Sequence, residues 1–512
     1  MNKSHLIVVL TLLSNSRVWS KRRLKVLINS PAFGVSHLNF QGRLADILVE
    51  AGHEVFVYIP NWEASERRNG TLKAQRIVRF MPTSEEYNFE KNTQLTEPFE
   101  PQDENVGAKV WENFKQFTLR QCQDQLKDPE YTESIRRENF DVGISEMYDS
   151  CAFFHFDQAK IPTILLSSAM LTPDVISLAF GLPIPRSYCT PWLLPSIRTP
   201  RLTYFDRLLN IIIDRMLFAQ LVEHQNLIGR EFAVHYNYTS AKTYVEVLRK
   251  VKYVFVNMPE MLDHPRPIDF RFKLIGGIHL RSPAPFLSAE LEEVYKNAED
   301  GVILFSFGSN IDMNKMPWQT KIEILNAFAQ FPTYSFIWRI DGDSKTRELI
   351  VRHKNVYGAA GWIDQMAILA RNQTKLVIIH CGLNTVIEVA FSGKPAITIP
   401  FFNDQYQNAA LLLNRGTAIH IDKNEIRTDK LVDALRRILT ESSFTLNAQK
   451  LSEKLRNNPT DVRETFVKFV EYATTFESNE KMNLSVDNPV YDNLDIYVPF
   501  ALIILIFVYA IY

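Results

Sequence analysis

The chain has 512 residues, 46% of them hydrophobic and 22% charged, with a formal net charge of -1. That length exceeds one hydrophobic core and implies two domains. The composition excludes a disordered polymer, and the balanced charge gives no electrostatic basis for nucleic-acid binding. The cysteines, Cys122, Cys151, Cys189 and Cys381, show no CxxC or zinc-type Cys/His spacing. No metal site is therefore read, and disulfide pairing is left open.

In chain order, Lys3 precedes the short apolar run Leu6–Leu13, which fits a signal peptide over 1–20. Leu24–Asn29 reads as a buried strand, Pro31–His37 as a loop, 38–51 as a helix closed by Gly52, and His53–Tyr58 as the next strand. This is a βαβ unit with His37 in the loop at the sheet's ligand edge. His53 falls in the turn at the opposite edge, where a solvated role is expected. Phe140–Glu146 reads as a later strand ending in a carboxylate, with Asp149 three residues on and Asp141 at its surface start. A helix N-cap or solvated loop acid is the plainer account of Glu146. Phe205–Gln225 carries Asp214-Arg215 inside an apolar stretch, so it is an amphipathic helix and not a membrane span.

The most informative segment runs from Trp362 to Gln405. Leu376–His380 is an apolar run suited to a strand buried on both faces. Cys381-Gly382-Leu383-Asn384 is a tight turn, Thr385–Ser392 a helix stopped by Gly393 and Pro395, Ala396–Pro400 a strand, and Tyr406–Arg415 a helix closed by Gly416. A helix N-terminus at the C-terminal edge of a parallel sheet is a seat for a diphosphate. His380 and Asn384 flank that turn. Glu388 is placed to accept both hydroxyls of a ribose, Trp362 offers a face for a base, and Gln365 a donor and an acceptor for its edge. Each residue also has a plainer account. Thr385–Glu388 fits a capping box, His380 a structural histidine, Trp362 and Trp338 core aromatics, and Asp404-Gln405 a helix N-cap and its neighbour. Their joint occurrence at one sheet edge favours the nucleotide site.

This block resembles the donor-sugar signature of the UDP-glycosyltransferases, most closely the membrane-bound UDP-glucuronosyltransferases of animals. Phe305-Ser306-Phe307-Gly308-Ser309, Ile337–Gly342 (I-W-R-I-D-G), Gly181-Leu182-Pro183 with Ser187-Tyr188, and Gly276-Gly277-Ile278 resemble further family elements in order. Asp364 departs from the family's usual proline before the glutamine, a change expected to alter the loop more than the chemistry. The resemblance implies a GT-B fold, with two Rossmann-like domains facing across a cleft. The N-terminal acceptor domain would span 21–280, a linker 281–295 and the UDP-sugar domain 296–445. Helices over 446–480 would cross back to the first domain, and a transmembrane helix would span 496–512.

It also implies His37 as catalytic base, oriented by Glu146 where the family commonly has aspartate. His380, Ser309 and the helix N-terminus would stabilise the leaving UDP, and Asp404 and Gln405 would hold the sugar hydroxyls. Asp341-Gly342-Asp343 reads as a turn, not a metal-binding D-x-D. The implied reaction is inverting transfer of glucuronic acid, or of glucose, to the hydroxyl of small lipophilic acceptors. UDP-glucuronate or UDP-glucose is co-substrate, with no further cofactor. A catalytically weak UDP-sugar and lipophile carrier is the reading from another class. No GxGxxG supports an oxidoreductase. The implied place is the endoplasmic reticulum membrane, with a lumenal body and homo-oligomerisation left open. Asn69, Asn237, Asn372 and Asn483 open N-glycosylation sequons.

Overall fold

The computed structural model describes residues 22–32, 34–62, 66–81, 98–99, 106–169, 179–180, 182, 203–281, 286–308, 311–340, 344–475 and 503. The signal-type segment, Gly181, Pro183, Ser187, Tyr188, Cys189, Ser309, Asp341–Asp343, Asn483 and, save Ile503, the apolar C-terminus lie outside them. Among the described residues no helix is long and apolar enough to cross a membrane.

Short apolar runs buried on both faces build two sheets in which every strand pairing is parallel. The first comprises β1 (Lys25–Asn29), β2 (Glu54–Pro60), β3 (Arg76–Phe80), β4 (Val142–Glu146), β5 (Thr163–Ser167), β6 (Tyr253–Val256) and β7 (Phe272–Leu274). Its order is β3-β2-β1-β4-β5-β6-β7. The second comprises β8 (Gly301–Ser306), β9 (Tyr334–Ile340), β10 (Val356–Ala360), β11 (Thr374–Ile379), β12 (Ala396–Thr398) and β13 (Ala418–His420), ordered β10-β9-β8-β11-β12-β13. Strand order reverses between β1 and β4 in one sheet and between β8 and β11 in the other. Such switch points open a crevice at the C-terminal strand ends, where α/β proteins bind ligands.

The helix Val462–Ala473 packs on the first sheet, far from its neighbours in sequence. Phe466 and Val470 are fully buried there, with ring centroids 5.0 Å apart for Phe255 and Phe466 and 4.9 Å for Tyr253 and Phe469. Burying each such side chain contributes roughly 1.5–3 kcal/mol.

Four local expectations change. The first helix runs Val35–Glu50. The extended Gly34 ends the loop and its carbonyl accepts from the Leu38 N–H, so His37 lies in the helix's first turn and not in a loop. His53 is buried, not solvated: Nδ1 accepts from the Leu24 N–H and Nε2 lies 3.2 Å from Glu471 of the returning helix. The helix after β11 begins at Leu383, so Glu388 sits beyond its first turn and no Thr385–Glu388 capping box forms. The helix expected over 205–225 runs Tyr204–His235, and its Ile228 and Phe232 enter the core. A disulfide joins Cys122 to Cys151, and Cys381 is free and buried.

Candidate active site

At the first switch point, Glu146 ends β4 with its side chain wholly buried. A buried carboxylate needs donors, and here it has several. Gln41 Nε2 donates to Oε2 at 3.2 Å, the Met147 N–H to Oε1 at 3.2 Å, and the Ser168 N–H to both oxygens at 3.3 and 3.2 Å. His37 Nδ1 lies 3.3 Å from Oε2, with the imidazole 18% exposed. A proton on Nδ1 donated to Glu146 sets the tautomer and leaves Nε2 as the basic nitrogen. Asp149 has a different task. It caps the helix Ser150–Gln158, accepts from Asn29 Nδ2 at 2.9 Å, and burial pushes its pKa up. Asp141 takes the Lys25 N–H at 2.8 Å at the strand start.

At the second switch point, His380 follows β11. A Cβ at Gly308 or at Gly382 would come within 2.7 Å of its Nε2, so both positions have to lack one for the ring to fit. Burial holds the imidazole neutral, its pKa lowered to about 3, with the Arg339 charge adding to the effect. Nδ1 has no hydrogen-bond partner among the described residues. The helix Leu383–Ser392 starts at Gly382 without a side-chain cap. Its first N–H groups therefore point into the crevice unclaimed by a side chain. A neutral imidazole beside them suits an anion.

Asn384 does more than flank the turn, since its Oδ1 accepts from Asn257 Nδ2 of the first half at 2.8 Å. Gln365 Nε2 donates to Glu388 Oε2 at 2.5 Å, and burial pushes the Glu388 pKa to about 7. Trp362 is 73% exposed and presents an open indole, whereas Trp338 is core. Asp364 caps the helix Gln365–Leu369 and pairs with Arg281 at 2.5 Å, so the departure from proline is absorbed as loop structure.

Asp404 is half-buried and accepts from Asn408 Nδ2 at 2.7 Å. Burial raises its pKa, opposed first by that hydrogen bond and then by the His37 charge, which places the two groups in electrostatic reach across the crevice. Gln405 turns its Oε1 to the Phe401 and Phe402 N–H groups at 2.8 and 3.3 Å.

Comparison with known proteins adds to this geometry. The family model described as "UDP-glucoronosyl and UDP-glucosyl transferase" matches residues 25–512. The chain belongs to that family. The Caenorhabditis elegans protein ugt-50, which carries a UDP-glucuronosyltransferase name, is 24% identical over 473 residues, 91% of this chain and 88% of its own. Human UDP-glucuronosyltransferase 3A2 is 24% identical over 453 residues, 86% and 82%. A solved UDP-glucosyltransferase from Polygonum tinctorium, 14% identical, superposes with a TM-score of 0.61 over 89% of this chain and 99% of its own. That likeness establishes the GT-B fold.

Sequence reasoning about this UDP-glycosyltransferase missed Gln41, Asn257, Arg281 and Asn408. Gln41 carried a signal, since it lies four residues after His37 on one helix face. Asn408 carried the same signal, four residues after Asp404, whereas Asn257 and Arg281 act across long sequence separations and left no local trace.

Proposed function

We propose that this chain transfers a sugar from a UDP-sugar to a hydroxyl of small lipophilic acceptors, with inversion at the sugar carbon and glucuronic acid as donor sugar. The observation that carries the reading is the buried Glu146 carboxylate 3.3 Å from His37, within electrostatic reach of Asp404. Nε2 of His37 takes the acceptor proton as the acceptor oxygen bonds to the anomeric carbon and the bond to UDP breaks. Glu146 stabilises the imidazolium that forms. UDP leaves with its charge on the N–H groups that open the Leu383–Ser392 helix and on the site around His380. Ser309, which the family resemblance gives a part in holding the leaving group, lies outside the described residues. Glu388 holds the ribose, Trp362 and Gln365 the base, and Asp404 with the Gln405 amide the sugar. One displacement from an α-linked donor yields a β-glycoside.

Glucose is the second reading. Two arginines that touch the donor region are engaged, Arg281 by Asp364 and Arg339 by the Gly308 and Gly361 carbonyls, so neither is held ready for a glucuronate carboxylate. The lumenal, membrane-anchored placement draws on the sequence's two apolar ends. The Cys122–Cys151 disulfide and the exposed Asn69, Asn237 and Asn372 support it.

The test is UDP release by full-length microsomal protein given a simple phenol and each donor in parallel, with His37→Ala as control. Transfer with one donor, abolished in His37→Ala, is expected. UDP binding without turnover on either donor would favour the carrier reading or an acceptor other than a simple phenol, and would weaken the His37–Glu146 assignment.

A further inference from the structure

The donor helix and the base pair belong to different sheets, yet one side chain touches the supports of both. Asn257 follows β6 at the same sheet edge as Glu146 and is wholly buried. Its backbone is fixed by the Asn257 N–H donating to the Ser167 carbonyl at 2.9 Å. Its Nδ2 then donates twice, to the Ser168 carbonyl at 2.9 Å and to Asn384 Oδ1 at 2.8 Å. Ser168 in turn gives its N–H to both Glu146 oxygens, and Glu146 holds His37. Asn384 is the second residue of the helix whose N–H groups the transfer reading assigns to the leaving group. The path Asn384–Asn257–Ser168–Glu146–His37 is thus continuous, and it crosses from one sheet to the other at a single amide.

We propose that Asn257 is a positioning residue that registers the diphosphate-binding helix against the His37–Glu146 pair. The assignment rests on the transfer reading above. A direct displacement requires donor carbon and acceptor oxygen within near-attack range, and errors of about 1 Å lower rates roughly 100-fold. The residue type matters: both partners of Nδ2 are acceptors, so only a side chain with two N–H donors of this length satisfies them. Asn257 Oδ1 has no partner among the described residues, so the amide is held by its donor side alone.

The test uses full-length protein carrying Asn257→Ala, Asn257→Asp, Asn384→Ala, or both alanine changes, with kcat at saturating donor and UDP affinity by calorimetry. Asn257→Ala is expected to lower kcat at least 10-fold while UDP affinity moves less than threefold. Asn257→Asp, equal in size but without the donors, is expected to be no better. The double variant is expected to be no worse than the poorer single variant, because Asn257→Ala already cuts the one bond that Asn384→Ala removes. Unchanged kcat, rescue by aspartate, or multiplicative losses would overturn the assignment. Should the wild type turn over neither donor, the transfer reading fails by itself. The bridge is then judged on thermal unfolding of the same variants, where non-additive losses sustain it and additive losses defeat it.

Discussion

Removing the charge of Glu146 while keeping its shape is the sharpest perturbation of the proposed chemistry. In Glu146→Gln the ring can still be hydrogen-bonded, but the imidazolium formed during transfer loses its counter-charge. At the 3.3 Å separation and an effective dielectric of about 20, the Coulomb attraction is roughly 5 kcal/mol. Part of it already acts in the ground state through the Nδ1 hydrogen bond, so about 3–4 kcal/mol is expected to appear in the barrier. That corresponds to a loss in kcat on the order of 10²–10³-fold. The assay is single-turnover formation of the glycoside with enzyme in excess, which removes product release from the measurement. UDP affinity is expected to hold, because Glu146 lies on the acceptor-side sheet. A loss below tenfold would refute the argument, since it would mean that little positive charge develops on His37 or that another group balances it.

Glu388 links pH to stability. Its folded pKa of about 7 lies above the ordinary glutamate value of 4.5, so the fold binds a proton that the unfolded chain releases between those values. Stability from this group is full below about 4.5, is lost as pH rises towards 7, and Glu388→Gln should gain up to about 3 kcal/mol above that window. Melting curves of both proteins from pH 4 to 8 would show a gap that opens with pH, and a constant gap would contradict it. Gly308→Ala places a methyl against His380 at a backbone φ of 69°. It should destabilise by about 1–3 kcal/mol and weaken UDP binding at least tenfold by calorimetry, and unchanged binding would detach His380 from the diphosphate. Cys122→Ser opens a bridge across a sequence separation of 29. It should lower stability by about 3–4 kcal/mol in the chain-entropy account, visible as a matching fall in Tm on reduction of the wild type. A wild type indifferent to reductant would contradict the bridge.

What the sequence disclosed was local. The strand, turn and helix around His380 were legible because apolar runs, glycines and Pro395 punctuate them within a few residues. The helix start was read two residues late, since Gly382 ends the turn without a capping side chain and Thr385 looked like a cap. That shift decides the surroundings of Glu388, which is turned to Gln365 and not to its own helix end. The exposure of His53 was misread for another reason. The residue covering it, Glu471, comes more than 400 positions later, and no periodicity announces such a contact. Asn257 and Asn384, 127 apart, met the same barrier. Residues that build a switch point leave a mark in their own strand, whereas residues that join two sheets do not.

The returning helix also bears on how the chain is made. Phe466 and Val470 finish a cluster whose other members include Val26, Val55 and Phe255, the last of these already some 200 residues earlier in the chain. At about 5–20 residues per second, roughly 10–40 s separate the synthesis of that first sheet from the arrival of its last covering element. Through that interval the nascent first half carries an apolar face that its own covering helix has not yet reached. Truncations just before Val462 would therefore injure the oldest part of the molecule, not the newest.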